Sequence, residues 1–142
     1  MTGQIAEGYR LVEGAPSVAE YRHLRSASGL SPVTEAQAAG GRSGGLFAYH
    51  VIHEERGIAA GMGRVIGDGG WYFHILDMAV LPDHQRHGLG GSILAALLQR
   101  IRTSAPPGAY VNLIADPPGV GLYQRYGFKD AIPELGMYTL LT

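Results

Sequence analysis

Met78-Ala79-Val80-Leu81-Pro82-Asp83-His84-Gln85-Arg86-His87-Gly88-Leu89-Gly90-Gly91-Ser92 decides how this chain is read. An apolar strand ends, a short polar loop follows, and a glycine-dense turn opens a long helix. The first turn of such a helix carries free backbone N–H groups and the positive end of the helix dipole. Gly88, Gly90 and Gly91 remove side chains that would keep an anion at a distance. Arg86 and His87 add positive charge beside them. The stretch is a cradle for a phosphate or pyrophosphate. Three glycines in four positions at a helix start weaken the helix by up to about 1 kcal/mol each relative to alanine. That weakness makes sense if something must approach the backbone.

Outward from the cradle, the pattern on each side is regular. Downstream, Gly88 to Ser104 reads as a helix with Leu89, Ile93, Leu94, Leu97, Leu98 and Ile101 as a wide apolar stripe. Pro106-Pro107-Gly108 stops it. Ala109 to Ala115 follows as a buried strand. Strand, helix and strand form a βαβ unit, with parallel strands and a right-handed crossover. Val120 to Tyr126 reads as a short helix and Met137 to Leu141 as a final strand. Upstream, Leu46 to His53, Ile58 to Ile66 and Trp71 to Val80 read as an antiparallel meander. Tyr9 to Val12 gives a short first strand. Ser17 with Glu20 makes a capping box for a helix to about Ser26. A second, weaker helix runs to Ala39, and Gly40 to Gly45 reads as a flexible loop. The fold class is mixed α/β: a meander feeding one parallel βαβ pair, in a single domain spanning residues 1–142.

Composition narrows the chemistry. The 142 residues suit one domain. With 11 Lys+Arg against 12 Asp+Glu the net charge is −1, which argues against nucleic acid held by the overall field. The chain has no cysteine, which excludes disulfides, Cys-ligated zinc and a thiol nucleophile. Lys129 is the only lysine, so Schiff-base chemistry has one candidate. The longest apolar run, Ile93 to Leu98, is far short of the ~20 residues that span a bilayer. Met1 to Gly8 shows no basic start followed by an apolar stretch. A cytoplasmic protein without membrane partners is the expectation.

Several familiar motifs fail. Walker A needs Gly-Lys-Ser/Thr, which is absent. The dinucleotide fingerprint needs a third glycine where Ile93 stands. Gly41-Arg42-Ser43-Gly44-Gly45 matches a nucleophile elbow but precedes a strand instead of following one. His53-Glu54-Glu55-Arg56-Gly57 lacks the second histidine of a zinc helix, and His84 with His87 reads as two solvated loop histidines. No metal site is expected.

The chain resembles the GNAT N-acetyltransferase superfamily. Gln85-Arg86-His87-Gly88-Leu89-Gly90 fits the family's Arg/Gln-x-x-Gly-x-Gly/Ala motif, and Ala79-Val80-Leu81-Pro82 its usual lead-in. Leu122-Tyr123-Gln124-Arg125-Tyr126-Gly127-Phe128 is similar to Leu-Tyr-x-x-x-Gly-Phe, at the expected distance. The element order from Tyr9 to Leu141 also fits. The resemblance implies acetyl-CoA as cosubstrate. Its pyrophosphate would rest on the amides from Arg86 to Gly91, with Ser92 close by, and its pantetheine arm on the backbone of Met78, Ala79 and Val80, in a gap where the parallel strands splay. It implies Tyr123 as general acid. Some family members carry Glu or His at the position of His74, which makes His74 the candidate base. Asp77 is a second candidate and fits better as an anchor of the strand end. Strand alternation sets His74, Leu76, Met78 and Val80 on one face and Phe73, Ile75, Asp77 and Ala79 on the other. Where the family often has Asn-x-x-Ala, this chain has Asp116-Pro117-Pro118-Gly119. Asp116 can accept from a pantetheine amide but cannot donate. The expected acceptor is a small-molecule amine or a peptide, shaped by the first two helices and the Gly40–Gly45 loop. A homodimer follows from the resemblance alone. The rival reading is an acyl-CoA sensor or interaction module without turnover.

Overall fold

The computed structural model describes residues 4–142; residues 1–3, part of the N-terminal stretch considered above, lie outside it. Strands β1 (Tyr9–Glu13), β2 (Phe47–His53), β3 (Ile58–Gly67), β4 (Tyr72–Val80) and β5 (Tyr110–Leu113) form one sheet in the order β1-β2-β3-β4-β5. The first four pair antiparallel and β4 pairs with β5 in parallel. Helices α1 (Val18–Ala27) and α2 (Glu35–Gly44) follow β1. Helix α3 (Leu89–Ser104) crosses between β4 and β5, and α4 (Val120–Arg125) follows β5.

Each face of the sheet has its own core. On one face the α3 stripe packs against Val51, Val65, Phe73 and Ile75. All six stripe residues are buried, because the 3.6-residue period keeps them on one side. On the other face, Tyr21 and Leu24 of α1 and Ala38 of α2 pack against Ala59, Met62 and Ala79. The Ser17 side chain accepts from the Glu20 amide and the Glu20 side chain from the Ser17 amide, both at 3.1 Å, which fixes the start of α1.

Three elements depart from the sequence reading. Gly40 to Gly44 is helical, the last part of α2, and not a flexible loop. Thr34 and Gln37 cap the helix reciprocally. The Arg64 guanidinium donates to the Gly41 carbonyl at 3.2 Å, and a Cβ on Gly41 would already lie 3.4 Å from it. Tertiary contact thus overrides the low helix propensity of glycine. β5 is shorter than Ala109–Ala115 and only partly buried, because it is the last strand of the sheet. Met137 to Leu141 forms no strand: a strand exists through pairing, and this segment pairs with nothing among the described residues.

The alternation expected along β4 also breaks. Arg64 pairs with Leu76 but Met62 with Ala79, so Gly63 alone faces both Asp77 and Met78 across a bulge. Asp77 takes φ 59° there. Phe73 and Ile75 face α3 before the bulge, and Met78 and Val80 face it afterwards. Asp77 turns to α1 instead. Gly63 is required at this point, since a Cβ there would lie 2.4 Å from Met78 Sδ and 2.8 Å from Ile93 Cγ2. Gly63→Ala is expected to overpack this contact and destabilise the protein by about 1–3 kcal/mol. Urea unfolding checks this, with an unchanged slope and a lower midpoint.

Candidate active site

Parallel pairing ends at Ile75 with Leu113, while β4 runs on to Val80. The strands therefore part, and a cleft of about 550 Å³ opens between the β5-facing edge of β4 beyond Ile75 and the turn after β5. Arg25 and Ser31 line it from the α1 side, His74 to Val80 from β4, and Ile114, Asp116 and Tyr123 from the far side. The structure thus brings His74, Tyr123, Asp116, Gln85 and the Met78–Val80 backbone to one cleft. The carbonyl of Val80 already accepts from the Gln85 side-chain amide at 3.3 Å.

The cradle adjoins this cleft. Gly88 caps α3 in the left-handed region at φ 73°, with no side-chain cap, so the first-turn amides stay uncapped. Arg86 is also left-handed, at φ 69°, which costs a non-glycine residue about 1–2 kcal/mol. Strain of this kind gathers where a loop must hold a particular shape. Leu89 contributes only backbone, its side chain being buried. The Ser92 hydroxyl donates to the Gly88 carbonyl at 3.1 Å and stiffens the turn. His87 faces Tyr9, and His84 Nδ1 lies 2.8 Å from the Tyr9 hydroxyl. Burial and the nearby His53 pull the pKa of His84 below its ordinary value.

Gly90 and Gly91 have a second task. A Cβ on Gly90 would lie 3.3 Å from Leu122 Cδ2, and one on Gly91 3.2 Å from the Tyr126 hydroxyl. That hydroxyl donates to the Gly91 carbonyl at 3.1 Å. The backbone that must be approached is thus approached by α4 itself. Gly127, at φ 92°, ends α4 and lets the Phe128 amide bond back to the Tyr123 carbonyl at 3.1 Å. Phe128 then packs edge-on against the Tyr123 ring, centroids 6.0 Å apart. Burial, and secondarily the charge of Asp116, push the Tyr123 phenol above its ordinary pKa. It stays protonated as a donor must.

His74 Nδ1 lies 2.6 Å from Asn112 Oδ1, while Asn112 Nδ2 donates to the Phe73 carbonyl at 3.3 Å. That second bond orients the Asn112 amide so that its oxygen accepts from His74. In the neutral ring Nδ1 then carries the proton and Nε2 the lone pair. Asn112 was not visible as a site residue in the sequence, because nothing local links it to His74.

Asp77 is no free base. Its carboxylate accepts from Tyr21 Oη at 2.6 Å, Arg25 Nη1 at 2.5 Å and Arg64 Nε at 2.6 Å. Burial works against the charge of Arg64, but the hydrogen bond and charge of Asp77 outweigh it and raise its pKa. Burial and Asp77 together raise that of Tyr21. Arg25 also donates to the Ser31 carbonyl and hydroxyl, at 2.8 and 3.1 Å, which holds the loop bordering the cleft.

The family model for the acetyltransferase (GNAT) domain matches residues 33–136. The chain belongs to the GNAT acetyltransferases. A crystal structure of a protein from meticillin-resistant Staphylococcus aureus, titled a probable acetyltransferase, superposes with a TM-score of 0.88 at 35% identity. It covers 94% of this chain and 99% of that one. A GNAT family acetyltransferase from Streptococcus pneumoniae shares the fold, with a TM-score of 0.76 at 23% identity over 94% and 98% of the two chains. The uncharacterized N-acetyltransferase ycf52 of Pyropia yezoensis is 33% identical over 79 residues, 55% of this chain. The matched stretch spans 44% of that relative's length. The mixed fold expected from the sequence, with strands parting at the end of a parallel pair, is the fold of this chain, apart from the final strand. Among the described residues no helix is long and apolar enough to cross a membrane.

The Asp77 cluster has a measurable consequence. Asp77→Ala would leave two largely buried guanidinium groups without their anion, a change that typically costs about 3–5 kcal/mol. The expected loss is near the lower end, since both arginines keep some contact with water. Chemical denaturation at neutral pH measures it.

Proposed function

We propose that this acetyltransferase moves an acetyl group from acetyl-CoA to the primary amine of a small molecule or peptide. The observation that carries the reading is the cleft itself. The uncapped start of α3 adjoins one end of it, and Tyr123 and His74 line it. Uncapped amides and Arg86 suit a pyrophosphate. The β4 backbone beyond Ile75 has no β5 partner and suits the amides of an extended arm. Acetyl-CoA supplies the activated acyl group.

The residues then divide the proton work. An alkylamine is about 0.04% neutral at pH 7, so the acceptor needs to lose a proton before it attacks. His74 Nε2 holds the lone pair for that task, kept in place through Asn112. Tyr123, neutral well into the alkaline range, gives its proton to the departing thiolate. Arg25 beside the α1 end of the cleft and Asp116 on the far side border the space left for the acceptor. A slightly acidic chain without a marked charge run fits a small amine better than a strongly basic peptide.

Tyr123→Phe keeps the ring contact with Phe128 and removes only the proton. A loss in kcat of roughly 10²–10⁴-fold is expected, with CoA affinity little changed. A burst-free steady-state assay of thiol release on an amine panel measures it. Because the phenol pKa is raised, the donor is lost only as pH rises past the ordinary tyrosine value of about 10. The wild-type rate profile should therefore show no Tyr123-dependent fall below that pH. Wild-type protein that binds CoA but acetylates no amine would favour the sensor reading.

Arg86→Gly retains the left-handed backbone without strain and deletes the guanidinium. Hydrogen bonds to charged groups contribute about 1.5–3 kcal/mol, so CoA should bind roughly ten- to a hundredfold more weakly. Titration calorimetry with CoA and with its dephospho form checks this: equal weakening places Arg86 at the pyrophosphate.

A further inference from the structure

The Asp77 cluster does not balance its charge. Two guanidinium groups, Arg25 and Arg64, meet one carboxylate, at 2.5 and 2.6 Å. Among the described residues no second acid forms an ion pair with either arginine. Tyr21, the third group on Asp77, is a phenol kept protonated by burial and by Asp77 itself, so it brings no charge. The cluster therefore holds one positive charge more than it holds negative. The two arginine side chains are only 13% and 15% exposed, so water screens that surplus poorly. Arg25 lies in the last turn of α1, whose carboxyl end offsets about half a charge at most.

Of the two arginines, it is Arg25 that lines the cleft. Its Nε and Nη2 donate to Ser31 and its Nη1 to Asp77. The remaining N–H groups of the fork have no partner among the described residues. Ser31 Oγ accepts from Arg25, which leaves its own O–H to donate, and Ser31 lines the same end of the cleft. This end therefore presents donors and positive charge. The far end is the reverse. Asp116 stands there with Tyr123, and its charge adds to the effect of burial on the phenol.

We propose that the acceptor is an amine that also carries an oxyanion, and that Arg25 with Ser31 binds that oxyanion. The amine end of this proposal rests on the transfer reading above; the oxyanion end rests on the charge of the cluster. A carboxylate or a phosphate fits the planar fork of a guanidinium. Opposite charges at the two ends of the cleft orient such a molecule. Its ammonium is drawn toward Asp116, on the side of Tyr123, and its oxyanion toward Arg25. Binding also neutralises the surplus charge beside Asp77. Arg25 then separates an amino acid from the amine left when its carboxylate is removed.

Matched acceptors test this. Phenylalanine against phenethylamine and alanine against ethylamine probe a carboxylate; phosphoethanolamine against ethanolamine probes a phosphate. The kcat/KM should favour the oxyanion-bearing member of at least one pair by roughly ten- to a hundredfold, mainly through KM. Arg25→Gln removes the charge and leaves Asp77 with Arg64, so the preference should shrink by that same factor. Arg25→Lys keeps the charge and should retain part of it. Comparing ratios between the proteins cancels amine basicity and any general loss of activity. Calorimetric titration of the same compounds into CoA-saturated protein reads the subsite without turnover. If no amine is acetylated, yet oxyanion-bearing compounds bind more tightly and Arg25→Gln abolishes the difference, the transfer reading falls and the subsite stands. Equal use and equal binding of both members of every pair overturn the proposal. A preference that survives Arg25→Gln overturns it too, placing the oxyanion elsewhere. A preference in one kind of pair alone supports it and names the group as carboxylate or phosphate.

Discussion

One buried carboxylate sets the geometry around which the rest is arranged. Asp77 is the buried acid of the core, and three side chains from α1 and β3 converge on it. A charge so placed must be fully partnered. Meeting that demand draws α1 onto the sheet, draws Arg64 across to α2, and draws the loop at Ser31 to the edge of the cleft. The bulge that turns Asp77 toward α1 also returns Met78 and Val80 to α3. A single irregularity in β4 thus serves both cores. Directly after it, β4 stays paired to β3 and carries its free β5-facing edge along the cleft.

Much of the architecture was legible because it follows from periodicity. The α3 stripe, the meander and the βαβ order need only the spacing of apolar residues and the punctuation of Gly and Pro. Tyr123 and the stretch from Gln85 to Ser92 stand out through distinctive local signatures, and the structure sets Tyr123 and Gln85 in one cleft. What was not legible depends on meetings across the chain. Asn112 matters because it lies across from His74, and Arg25 because it reaches Asp77. Tyr21 matters likewise, because its hydroxyl reaches Asp77.

The two largest departures share one cause. Propensity reads Gly40 to Gly44 as a loop, yet Arg64 packs against Gly41 and Gly45, where a side chain would crowd it. Met137 to Leu141 was read by strand propensity, yet a strand requires a neighbour. Local preference proposes an element, and the available partner decides it.

The contact between α4 and the start of α3 carries a consequence for distance. Leu122 and Tyr126 rest on Gly90 and Gly91 with no intervening side chain, and Tyr123 lies between them on the same short helix. The place where an anion would sit and the hydroxyl that would donate a proton are therefore joined by a span in which side chains from the α4 end rest directly on the backbone of α3. The molecule works as a ruler between these points. A ligand is measured by the length between its phosphates and its reactive end, independently of what each end contacts.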